Sequence, residues 1–248
     1  MGWRVWLELG RHDIRMRYKR TLLGPLWISL SMAATFTAMS MLYSALLKTD
    51  IHSFLPYLGA GMVLWGLASS TVNEAPQIFL NSRHIITSMQ MPLTVHVIRC
   101  VVRNTIIFFH NLVIYVVVAL ALGVRPMPAT LFVFVGIPIF LMSAYFIALI
   151  VAIVGARFRD IAPVVGTVTQ FLFFLTPIIW SPEHIPDGKK YWVTANPFHH
   201  LIEIVRAPLL GTVPPVQSLV IATAFTAILA VVSFLVFRSL RRRIIYWL

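Results

Sequence analysis

Apolar residues fill 59% of the 248 positions and charged ones only 11%, about half the charged share of an ordinary soluble domain. The net charge of +12 is carried by short basic segments between apolar stretches, not by a continuous stripe, which argues against a nucleic-acid surface. Cys100 is the single cysteine, so an internal disulfide and a Cys-rich metal site are both excluded.

The chain opens on a basic segment in which Trp3, Trp6, Leu7, Ile14 and Tyr18 recur at helical spacing while Arg4, Arg11, Arg15 and Lys19 mark another face. That pattern predicts an amphipathic interfacial helix over residues 1–22. The first apolar run follows it without an A-x-A-like cleavage site, so the first span is expected to stay attached.

From there a six-span, all-α integral membrane domain is expected over residues 23–248. The spans are read at residues 26–47, 57–79, 104–122, 131–154, 163–179 and 219–237. At about 1.5 Å per residue most reach across a hydrocarbon core of about 30 Å. The fifth does not, because Pro163 and Pro177 leave only about 22 Å of helix between them.

Cationic residues set the orientation. One side collects Arg4, Arg11, Arg15, Arg17, Lys19, Arg20, Arg83, Arg99, Arg103, Arg157, Arg159, Arg238, Arg241, Arg242 and Arg243, whereas the other has only Lys48, Arg125, Lys189, Lys190 and Arg206. Both termini are therefore expected in the cytoplasm.

Between spans two and three, residues 81–91 predict a short cytoplasmic helix with Asn81 or Ser82 as its cap and Pro92 beyond its end. Its Ile85, Ile86 and Met89 form an apolar patch on the wet side, a pattern common to docking surfaces. The loop at residues 155–161 reads as a tight basic turn on the same side.

Asn73 and Glu74 in span two, and His110 and Asn111 in span three, are polar at membrane depth and are expected to face the bundle interior or water. No cationic neighbour for Glu74 inside the membrane is evident from the sequence. Phe171, Phe173, Phe174 and Trp180 gather at the outer end of span five, where aromatic faces serve either a sugar ring or the lipid interface.

The outer segment, residues 181–218, is the least ordinary. Phe198, Leu201, Ile202, Val205 and Leu209 recur at i, i+3, i+4, i+7 and i+11, with His199, His200, Glu203 and Arg206 on other faces. The spacing predicts an amphipathic helix in or dipping into the outer leaflet, a re-entrant element beside the short fifth span. His184, His199, His200 and Glu203 lack an HExxH-type pattern and do not predict a metal site. No phosphate loop of the form G-x-x-x-x-G-K-[ST] occurs, so nucleotide hydrolysis is not expected of this chain alone, and no serine nucleophile elbow appears either.

Four stretches, at residues 15–27 (RMRYKRTLLGPLW), 156–161 (ARFRDI), 173–180 (FFLTPIIW) and 196–211 (NPFHHLIEIVRAPLLG), together resemble the membrane subunits of ABC type-2 exporters, particularly those that move O-antigen and related cell-surface polysaccharides. The resemblance covers nearly the whole chain. It implies a homodimer in the bacterial inner membrane served by two copies of a separate ATPase that binds ATP and Mg, with no cofactor on this chain. It implies that residues 81–91 are the coupling helix, with Ser82, Arg83, Ile85, Ile86 and Met89 meeting the ATPase. Residues 181–211 would hold the outward gate, with Glu74, Phe173, Phe174, Trp180, Phe198, Glu203 and Arg206 as channel or gate residues. The implied cargo is a glycan on polyprenyl diphosphate, for which Arg17, Lys19 and Arg20, just before Leu23 and Gly24, offer cations to the phosphates. Teichoic acid, a drug or another lipid-linked compound is the alternative cargo, and a membrane-embedded transferase the alternative class; the latter needs convergent acids at one face, which the scattered Asp and Glu residues do not provide.

Overall fold

The structure is a computed structural model and describes residues 26–88, 91–186 and 190–248. The described residues form helices and connecting turns, with five helices long and apolar enough to cross a membrane: Leu26–Leu47, Ile51–Asn81, Leu93–Ala121, Pro128–Arg157 and Val216–Trp247.

In chain order the elements are α1 (Leu26–Leu47), α2 (Ile51–Glu74), a 3-10 turn at Ala75–Gln77, α3 (Ile78–Asn81), α4 (Arg83–Ser88), α5 (Leu93–Ala121), α6 (Val133–Arg157), α7 (Ile161–Leu175), α8 (Tyr191–Thr194), α9 (Pro197–Leu209) and α10 (Val216–Trp247). α4 stands at one end of the bundle and α9 at the other. Asp50 starts α2 by accepting from the Ser53 amide at 3.2 Å, satisfying one donor that the first turn leaves open. Pro76 then interrupts the i→i−4 ladder, and the chain passes through the 3-10 turn before resuming as α3.

The spans predicted at residues 26–47 and 131–154 coincide with α1 and, within a turn, with α6 and the 3-10 turn Pro128–Phe132 before it. The third differs: α5 begins at Leu93, eleven residues before the expected start at Asn104. Three extra turns bring His96, Arg99 and Arg103 onto a helix whose start the sequence reading placed beyond them. Arginine stems are compatible with helical backbone, so a basic turn at a helix end does not stop the helix. α10 likewise continues to Trp247 and carries Arg238 to Arg243 on helical backbone.

α7 is the short element foreseen for the fifth span. Its 15 residues extend about 22 Å, less than a hydrocarbon core. Thr169 is its only buried residue. After Thr176 the backbone leaves helical geometry, yet Thr176, Pro177, Ile178 and Ile179 are buried. Such backbone survives at membrane depth only within protein or beside water.

Without a strong hydrophobic drive between helices in lipid, close packing holds the bundle. Two glycines show where backbones meet. A Cβ on Gly155 of α6 would overlap the Pro76 backbone, and one on Gly136 would lie 2.5 Å from the carbonyl oxygen of Ile204 in α9. α6 is thus the strut against which both the α2 break and α9 are seated. Around the first contact Ala75, Phe79, Cys100, Ala148, Ala152, Ile153, Ala156 and Ile244 form an inner cluster. Around the second, Leu64, Trp65, Phe140, Leu201, Ile204 and Val205 belong to the main core.

Candidate functional site

At the α9 end, Asn196 is the N-cap. Its Oδ1 accepts from the Phe198 amide at 2.9 Å, while Nδ2 donates to Thr176 Oγ1 at 3.1 Å and to the Leu175 carbonyl at 3.3 Å. One side chain therefore starts α9 and closes α7. The amphipathic helix expected here is present, and most of it is buried in the protein. His200, Leu201, Ile202, Ile204, Val205, Arg206, Ala207 and Pro208 are all buried. The reason lies in its polar positions, which find partners inside the protein.

Arg206 is 1% exposed. Its Nε donates to Glu203 Oε2 at 3.0 Å and its Nη1 to the Pro177 carbonyl at 2.6 Å, and its guanidinium stands 4.0 Å above the Tyr57 ring. Tyr57 Oη donates toward the Pro177 and Trp180 carbonyls at 3.3 Å. A planar fork with five donors suits this task better than an ammonium would. Arg206 and Tyr57 between them satisfy the non-helical backbone after α7, which no helix ladder reaches.

The other residues expected at a gate are divided. Phe173 and Phe198 both pack on Trp65, with ring centroids 5.9 and 6.2 Å away, so they belong to the core. Phe174 is exposed, and Trp180 is half-buried with Nε1 donating to the Phe174 carbonyl at 3.1 Å. His200 and Glu203, weighed as metal ligands, are committed elsewhere: His200 to Ser218 Oγ at 2.9 Å and the Thr194 carbonyl at 3.0 Å, Glu203 to Arg206. Below α9, an apolar crevice of about 250 Å³ separates α7 from α2 and α6, lined by Trp65, Val72, Ile147, Val168, Leu172 and Phe198 among others.

At the α4 end the structure supplies the partner that the sequence reading did not find. Arg103 pairs with Glu74, because the early start of α5 sets Arg103 opposite the end of α2. Asn104 Nδ2 adds a bond to the same carboxylate at 3.2 Å and reaches Thr71 Oγ1 at 3.4 Å. Asn73 is exposed and Glu74 half-buried. Both line a polar cleft of about 690 Å³ together with Gln77, Asn81, Ser82, Ile85, His96 and Arg99. His110 returns its Nδ1 to the Ile106 carbonyl at 2.7 Å, while Asn111 is buried with Oδ1 unsatisfied.

The short helix foreseen between spans two and three is α4. It opens with the Ile86 amide bonded to the Ser82 carbonyl at 2.9 Å. Arg83 is exposed. The apolar patch is split: Ile86 packs on the inner cluster and Ile85 faces the cleft. Met89, and the candidate headgroup residues Arg17, Lys19, Arg20, Leu23 and Gly24, lie outside the described residues, as does the N-terminal amphipathic segment.

Polar groups stand on the side turned away from the bundle in α1 and α7, as does Thr223 in α10. α1 buries Ser29, Phe36, Ser40 and Ser44 and exposes Ser31 and Thr35, whose hydroxyls return to the carbonyls of Trp27 and Ser31 at 2.8 and 2.7 Å. α7 exposes Thr167, bonded back to the Pro163 carbonyl at 3.1 Å, and the amide of Gln170.

Residues 5–210 match the family model described as ABC-2 type transporter. The chain is 23% identical over 238 residues to the O-antigen export system permease protein RfbA of Myxococcus xanthus, covering 95% of this chain and 92% of that protein. It is 22% identical over 235 residues to the protein of the same name from Klebsiella pneumoniae, covering 93% and 90%.

Proposed function

Because the chain belongs to the ABC-2 type transporter membrane family, we propose that it is the transmembrane half of an exporter that moves a polysaccharide on polyprenyl diphosphate across the bacterial inner membrane. A separate ATPase supplies the work, two copies of the chain form the passage, and both termini lie in the cytoplasm. Similarity along nine-tenths or more of their length to proteins named as O-antigen export permeases supports the cargo.

One observation carries the passage: polar side chains stand on the unpacked faces of α1 and α7. A Gln170 amide turned to hydrocarbon is costly, so polar groups at this depth face a protein partner or water. A second copy set against α1 and α7 encloses Ser31, Thr35, Thr167 and Gln170 and provides the polar wall that a sugar chain requires. α7, the helix held least by its own bundle, is the wall that moves, and the segment locked by Arg206 is the outer gate.

In this reading α4 is the foot on which the ATPase pushes, with Ser82, Arg83 and Ile85 at the contact and the Pro76 break passing displacement to α6. Arg17, Lys19 and Arg20 meet the cargo's phosphates at the inner leaflet. Co-expression with the ATPase encoded nearest to this chain tests the account. Affinity purification of the chain should retain that ATPase, and Ile85→Asp should abolish the retention while membrane insertion persists; retention undiminished by Ile85→Asp would remove α4 from the contact.

A further inference from the structure

The crevice between α7 and the bundle has a wall that suits hydrocarbon and little else. Ala68 and Val72 of α2, Ile147 and Val151 of α6, and Val168 and Leu172 of α7 stand in it, and among the described residues none that lines it is charged. The hydroxyls in the wall are spent within their own helices. Ser69 Oγ donates to the Gly66 carbonyl at 3.3 Å and Thr169 Oγ1 to the Val165 carbonyl at 2.8 Å. An ordered water needs about 2–4 polar partners, whereas an apolar cavity of about 150 Å³ stays dry and takes up benzene. At about 250 Å³ this space admits a longer hydrocarbon.

Its shape has a direction. Val164 and Val168, both in the wall, are 53% and 50% exposed, so they mark a mouth on one flank of α7. The far end is closed by Trp65, 9% exposed, and by Phe198, whose ring meets that of Trp65 edge to face with centroids 6.2 Å apart. From Val164 to Leu172 the helix runs about 12 Å, which makes the space a slot. A narrower pocket of about 20 Å³ shares Trp65, Ala68, Val72, Ile147 and Phe198 with it and reaches Leu201 and Ile202 on the buried side of α9.

We propose that the crevice takes one acyl chain of a bilayer phospholipid, which enters past Val164 and Val168, lies on Ala68 and Val72 and ends against Trp65 and Phe198. The gain is not hydrophobic, since the chain leaves surroundings as apolar as the slot. It comes from dispersion, because lining atoms that face a gap forfeit their contacts and a chain restores them. α7 has Thr169 as its only buried residue, so an acyl chain gives this helix the packing that its own bundle does not. The chain props α7 away from α2, and its contact with Phe198 ties occupancy to α9. A bilayer lipid fits the mouth better than the isoprenyl chain of a cargo. Gln170, on the face assigned to the passage, lies about 200° round the helix from both Val168 and Leu172, so the mouth opens away from the passage. That choice of source rests on the export reading; the seat itself rests on its wall.

The full chain is placed in nanodiscs of phosphatidylcholine doped with a phosphatidylcholine that bears a diazirine on one acyl chain, irradiated, and its adducts mapped by peptide mass spectrometry. An adduct on Trp65 is expected, a residue too buried for contact with surrounding lipid. Ala68→Leu fills the slot, and Val168→Trp narrows the mouth from an exposed position where folding is not at stake. Each should lower the Trp65 adduct several-fold relative to adducts on Phe234 of α10, which is exposed. Decaprenyl phosphate, added in an amount equal to the labelled lipid, should leave the Trp65 adduct unchanged. Adducts on Phe234 with none on Trp65, or Trp65 labelling undiminished in both variants, would overturn the seat. Loss of Trp65 labelling to decaprenyl phosphate would overturn its assignment to bilayer lipid. The labelling needs neither ATP nor an ATPase, so the seat and the export reading fail separately.

Discussion

Arg206 shows how much one side chain can carry. It satisfies a carbonyl in the irregular segment after α7, pairs with Glu203 and stacks on Tyr57, all while buried. Removing one partner of a buried pair leaves the other uncompensated, at a cost of about 3–5 kcal/mol. Arg206→Met is therefore expected to lower the thermal unfolding midpoint in detergent and to expose residues 176–196 to proteolysis, and Arg206→Lys should recover little because an ammonium lacks the fork. A midpoint equal to wild type would mean the segment is held by something else. Gly155 makes a comparable claim with no polar chemistry: Gly155→Ala forces its methyl into the Pro76 backbone and should destabilise by about 1–3 kcal/mol, where an exposed glycine-to-alanine change in a helix would stabilise. The sequence displayed Arg206 as one of five cations on the outer side and Gly155 as part of a turn. Neither role was legible there, because both depend on which distant backbone comes into contact.

Among the elements, legibility followed the length of the apolar pattern. α1 and α6 came out as read because long apolar helices are decided by composition. α5 started three turns early because hydropathy discounts Arg99 and Arg103, although their stems are compatible with a helix. From that one shift came the Glu74 partner, the Asn104 bond and the wall of the cleft. The Asn196-Pro197 step did contain a usable signal, an N-cap followed by a proline at the first helical position, and it locates α9 to the residue. What it could not reveal is that α9 sits inside the protein. α7 was read correctly as too short, and its single buried residue gives that shortness a consequence. The crevice behind α7 leaves it room to move against α2, and Ala68 lies on its wall. Ala68→Leu, which fills that space, is expected to leave thermal stability equal or higher and to slow export. Lower stability with unimpaired export would count against α7 as the moving wall. Glu74→Gln and Arg103→Gln should each destabilise, and the double change by less than the sum of the two, since the two side chains pair with each other; a double-mutant cycle on unfolding free energy reads the difference.

At the scale of the molecule, the chain has two differently built ends joined by one strut. The α4 end is polar, basic and open to a cleft; the α9 end is sealed by hydrogen bonds to irregular backbone. α6 seats the α2 break through Gly155 and α9 through Gly136, so a push at α4 and a response at α9 share a rigid element, which is the physical form that coupling between distant sites requires. In the proposed function the permease guides and a separate ATPase drives. The most direct measurement places the purified chain and its ATPase in proteoliposomes and follows an isoprenyl-diphosphate-linked glycan into the compartment opposite the ATPase. The account predicts movement only when both proteins and hydrolysable ATP are present, with loss in Ile85→Asp; movement by this chain alone, at the same rate without the ATPase, would contradict it.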